Sequence, residues 1–149
     1  AEPAIAADVH LRELLHHIHL VQWAFSQVWR GERLSIREVE TFSGPAEVLE
    51  WARRYYELVP DLLALLDSAE NAERPLRLPW ADELVETYGE ARPVSLEETM
   101  IQVVLHSTHH RAQVNARLRE LGREPRLIDY VAWLWMGRPE PLWDEIEPG

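Results

Sequence analysis

The sequence predicts an all-α protein built as a bundle of antiparallel helices. Three observations carry that expectation: three long stretches repeat apolar residues at three-and-four spacing, each opens on helix start residues and two close on a glycine, and alternation suggestive of strands is confined to the 75–80 region. With 149 residues of which 46% are hydrophobic, the chain has the size of one domain with a single core, spanning 1–149.

The first stretch begins at Asp8, a good N-cap, and repeats Leu11, Leu14, Leu15, Ile18, Val21, Phe25, Val28 and Trp29 until Gly31. The second opens near Ser43-Gly44-Pro45, with proline suited to a first helical position, and runs through Val48, Ala52, Tyr55, Val59, Leu62 and Leu66. Pro60 lies inside that row, and because the phase persists across it the prediction is one kinked helix. The third starts with Ser95 and Glu98 at capping-box spacing and continues to Leu121, with Gly122 as its stop. Residues 71–94 form a connection rich in proline and charge, with a helical turn expected at 81–87. After Pro125, "LIDYVAWLW" reads as a last helix of about three turns, followed from Gly137 by an irregular tail.

Composition narrows the chemistry. There are 15 basic and 26 acidic residues, a net charge of −11 that repels phosphate backbones and anionic lipid, so neither nucleic acid nor a membrane is an expected partner. No apolar run approaches the ~20 residues that span a bilayer. Cysteine is absent, which excludes disulfides and thiolate ligands, fits a cytoplasmic location, and leaves His, Asp and Glu as donors for any transition metal. The chain opens at Ala1 rather than at a methionine, so the expectation is of a processed protein or an excerpt.

Histidine is where the pattern becomes specific. On the third helix His106 and His110 are four residues apart, about 40° around the helix axis, and both fall on the apolar face. At that spacing two imidazoles can share one metal ion, whereas two histidines simply buried together need partners for every ring nitrogen. His109 projects to the side and His16 to the polar face of the first helix, so both are expected as surface or rim residues. On the first helix His10 and His17 share one edge of the apolar stripe, and either could complete a three-histidine site. Gln113 and Arg117 continue the row of the histidine pair as a polar wall, with Arg117 expected to pair with an acidic residue in preference to a substrate carboxylate. Trp23, Trp80, Trp133 and Trp135 read as core or interface aromatics.

The run "VVLHSTHHRAQVNARLRELGREP" followed by "DY", with "LLHHIHLVQWAFSQVWRGE" upstream, resembles the DinB/YfiT-like superfamily of metal-binding four-helix bundles. The resemblance covers most of residues 8–135 and is most specific in the third helix. It implies a divalent metal held by His17, His106 and His110, with His17 chosen over His10 because that register sets Phe25 and Trp29-Arg30-Gly31 where the family pattern has an aromatic and a Trp-x-Gly. Ala112 stands where many members have glycine. The family's first helix has no counterpart in this sequence, so an apolar groove is expected, covered by another chain or by the C-terminal segment; a homodimer is what the resemblance implies.

Three neutral imidazoles leave an open metal position, the arrangement of a catalytic rather than a structural site, and zinc or nickel is the expected ion. Ser107 stands where an H-E-x-x-H peptidase carries its glutamate, so the motif supplies no general base. A metal-bound thiol needs none, which agrees with the thiol transferases and isomerases among the family's members. The expectation is therefore a metal-dependent transferase using a low-molecular-weight thiol as small-molecule partner, with a hydrolase or a noncatalytic metal- or ligand-binding protein as alternatives.

Overall fold

The computed structural model describes residues 5–35, 42–126 and 129–143. Its long elements are α1 (Val9–Trp29), α2 (Pro45–Ala64) and α5 (Leu96–Glu120). Between α2 and α5 lie α3 (Ala69–Ala72), β1 (Pro75–Leu76), a 3-10 turn (Ala81–Leu84), α4 (Val85–Tyr88) and β2 (Val94–Ser95). The last element is α6 (Tyr130–Trp135). No described helix is long and apolar enough to cross a membrane. The all-α expectation holds, with one two-strand antiparallel ladder added, Pro75 opposite Ser95 and Leu76 opposite Val94.

Helix boundaries follow from local chemistry. The Asp8 side chain accepts from the Leu11 amide at 2.8 Å, satisfying one of the free donors at the start of α1. At the start of α5 the capping box closes in both directions: Ser95 Oγ accepts from the Glu98 amide and Glu98 Oε2 from the Ser95 amide. Pro60 is accommodated inside α2, as the persistent phase predicts. Gly122 takes a φ of +78° just past α5, a conformation that a side chain resists.

Two pairings fix the stacking. Asp8 meets Arg117, His17 meets His106, and Trp29 meets Thr99, so α1 and α5 run antiparallel along their whole length. Trp23 packs edge-on against Trp51, while Leu62 joins Phe25 and Trp29 at the far end of α1. So α2 runs in the same direction as α1, and the connection over 30–44, at ~3.3–3.6 Å per extended residue, is long enough for the chain to return.

The core sits toward the C-terminal end of α1 and the N-terminal end of α5, where Phe25, Trp29, Leu62, Leu96, Met100 and Val103 pack together. Phe42 and Trp51 anchor a smaller cluster against Leu15, Leu20 and Trp23. Ser26 and Gln27 are buried as well, because the chain after α1 folds back: the Ser35 amide donates to Gln27 Oε1 and Arg74 donates to the Trp29 carbonyl.

Two expectations need correction. The last helix is six residues, not three turns, because Asp129 caps it by accepting from the Val131 amide; Leu127 and Ile128 lie outside the described residues. Trp135 is 82% exposed and Trp133 is also exposed, so neither is a core aromatic, whereas Trp23 and Trp80 are half-buried against Trp51 and Phe25. Ile101, Val104 and Leu105 are exposed on α5, and among the described residues of the C-terminal segment Glu140 and Trp143 reach Tyr56 on α2.

Candidate metal centre

The antiparallel docking of α1 on α5 brings His17 to the His106/His110 pair. One ring nitrogen from each lies within 4.8 Å of the others, and no other group of three potential ligands converges like this among the described residues. The Nε2 atoms of His17 and His106 are 3.0 Å apart, close to the ~3.3 Å that two nitrogens share across a tetrahedral ion at ~2.0–2.1 Å. Ring centroids stand at 4.8 Å for His17–His106, 4.6 Å for His17–His110 and 4.3 Å for His106–His110. His17 is exposed while His106 and His110 are half-buried, so the cluster opens toward solvent at its α1 side.

The protonation state suits coordination. Burial, followed by the charges that His110 and His17 would carry, pushes His106 down to about 4. Burial also lowers His17, with His110 and His16 adding to it. Both rings are therefore neutral near pH 7, as metal ligands must be.

Second ring nitrogens differ in their surroundings. His110 Nδ1 lies 2.6 Å from Gln113 Oε1. His106 Nδ1 is buried and has no hydrogen-bond partner among the described residues. Next to it Ser107 is buried and accepts from Gln22 Nε2 at 3.3 Å, so the residue in the peptidase-glutamate position is engaged with α1. The three convergent imidazoles form a nitrogen donor set that fits a divalent late first-row ion.

A profile of the DinB family matches residues 6–144. The chain belongs to the DinB family. Among curated relatives, Protein DinB of Bacillus subtilis (strain 168) is 24% identical over 137 residues, covering 87% of this chain and 75% of that protein. No solved structure matches the chain significantly. For this DinB-family member, His17 rather than His10 meets the pair on α5. His10 instead is 63% exposed, 4.0 Å from Glu13. Both histidines sit on one edge of α1, and their axial position relative to α5 separates them.

Of the other residues singled out, Gln113 and His109 touch His110, and Arg117 is engaged elsewhere. Arg117 does not face the cluster as an anion receptor: it forms a two-pronged ion pair with Asp8 and a third contact with Glu120 at 2.7 Å, the acidic pairing that its sequence position predicts. His109 is exposed and touches the His110 ring edge-on at 5.0 Å. His16 is half-buried against Phe42, a rim position. Gln113 was legible only as polar wall; its contact with His110 was signalled by their i, i+3 spacing.

Proposed function

We propose that this DinB-family protein binds one divalent ion, zinc or nickel, through His17, His106 and His110, and transfers a low-molecular-weight thiol to a small-molecule substrate. The observation that carries the reading is the convergence of three imidazoles, and no carboxylate, at a position open to solvent. A divalent ion held by neutral ligands keeps its full charge, favours an anionic fourth ligand and lowers the pKa of a thiol bound to it. The protein's own residues orient the ligand nitrogens and leave one side free, and the His106-to-His110 motif carries Ser107 in place of a glutamate base, which a metal-bound thiolate does not require. Ser107, turned toward Gln22, supports that preference.

The test is cobalt substitution followed by thiol titration. The expected result is one tightly bound ion per chain and a sulfur-to-cobalt charge-transfer band that saturates with added thiol, both abolished in His106→Ala. A hydrolase would show no thiol band yet cleave an ester or amide panel. A noncatalytic site would show neither, and His106→Ala would chiefly lower the melting temperature of the metal-loaded protein.

A further inference from the structure

The three histidines are not equivalent, and the difference lies one turn further along α5. His110 Nδ1 approaches Gln113 Oε1 at 2.6 Å, the i, i+3 geometry of two side chains on one helix face. A carboxamide oxygen can only accept a hydrogen bond, so the ring nitrogen facing it must carry the proton. A neutral imidazole with its proton on Nδ1 has a bare lone pair on Nε2. The His110 ring stands edge-on to His17, at 4.6 Å and 82°, and tilted by 58° to His106.

His106 has no such help among the described residues, where its buried Nδ1 has no partner. His17 and His106 point Nε2 at Nε2 over 3.0 Å, which requires one of the two to hold a proton there in the metal-free protein. The pair must give that proton up before both nitrogens can bind an ion. Among the described residues, a side chain holds only His110 of the three in the tautomer that coordination through Nε2 needs.

We infer that Gln113 is a positioning residue for the metal centre: its Oε1 holds the His110 Nδ1 proton and thereby pre-sets His110 to coordinate through Nε2. This inference rests on the metal-binding reading above and extends it to a residue that touches no metal. Gln113 is exposed, so replacing it leaves the core intact.

Two variants separate the accepting oxygen from mere side-chain bulk. Gln113→Glu keeps an acceptor and removes the amide donor; Gln113→Leu removes both. Long-range nitrogen–proton NMR on the metal-free protein is expected to show His110 as the Nδ1–H tautomer in wild type and in Gln113→Glu, and as a mixture in Gln113→Leu. Zinc and nickel affinities by competition calorimetry are expected to fall about 10–100-fold in Gln113→Leu and to be retained or improved in Gln113→Glu. Metal-free melting temperatures should stay together across the three proteins. An Nε2–H tautomer in wild type, wild-type affinity in Gln113→Leu, or equal losses in Glu and Leu variants would each overturn the proposal. If wild type binds neither ion, the metal reading fails and the role in coordination fails with it, while the NMR tautomer separately reports whether the Gln113–His110 contact itself stands.

Discussion

Although 89 residues separate them in the chain, the Nε2 atoms of His17 and His106 stand 3.0 Å apart across the α1–α5 interface. Two neutral imidazoles at that distance share a single proton, one ring donating and the other accepting. An ion bound by both nitrogens displaces that proton, so the hydrogen bond and the metal are mutually exclusive. The shared N–H resonance is expected in metal-free protein and should vanish on addition of one equivalent of zinc. Its persistence at full zinc occupancy would remove one of the two histidines from the ligand set.

Because His10 and His17 share an edge of α1 but not a position along α5, their alanine variants should part company. His17→Ala and His110→Ala are expected to abolish stoichiometric metal, while His10→Ala, whose side chain is exposed beside Glu13, should retain it. Elemental analysis of the purified proteins checks this. Full occupancy in His110→Ala would sink the site.

Stability of the metal-free protein should fall with acid in a window set by the cluster. Burial and neighbouring histidines hold His106 near 4, and burial lowers His17, both beneath the ~6.5 of a free imidazole. Below that pH the unfolded chain takes up more protons than the folded one, so stability is lost as pH drops from ~6.5 through 4. Asp8 acts in the same direction over a lower range: the Arg117 guanidinium holds its carboxyl down to about 2, so its contribution is in place above ~4 and disappears as pH falls through 2. The urea midpoint is expected to fall between pH 7 and 5, and His106→Gln should flatten that slope. A slope unchanged in the variant would assign it to other groups.

Asp8 has two separable duties, capping α1 and pairing with Arg117. Asp8→Asn keeps a side-chain oxygen for the cap and loses the charge, whereas Asp8→Ala loses both. The melting temperature is expected to fall in the order wild type, Asn, Ala, with only the Asn step sensitive to salt. Equal values for Asn and Ala would show that the ion pair, not the cap, ties this end of the bundle.

At the opposite end, Trp29 Nε1 donates to Thr99 Oγ1 at 2.9 Å in the interior, and the Thr99 hydroxyl passes its own proton to the Leu96 carbonyl. Trp29→Phe leaves a buried lone pair unmatched and is expected to cost about 1–3 kcal/mol. Leu96→Ala, at a fully buried position, is expected to cost about 2–5 kcal/mol. Chemical denaturation measures both. Neither should change metal stoichiometry, since the His17 cluster lies further along the helices.

The parts of this protein that were legible in its sequence are those governed by spacing within one helix. The 3.6-residue repeat alone sets His106 and His110 side by side, Ser95 opposite Glu98 in a capping box, and Gln113 on the row of His110. Family resemblance chose His17, but one-dimensional geometry could not, because His10 and His17 point from the same edge of α1. Only the docking of α1 against α5 decided it, by fixing which turn of one helix faces which turn of the other. The same docking created the Asp8–Arg117 pair across 109 residues. Periodicity reports the direction of a side chain around its own axis; burial and partnership also depend on how far along that axis another element lies, and tertiary packing alone supplies that coordinate.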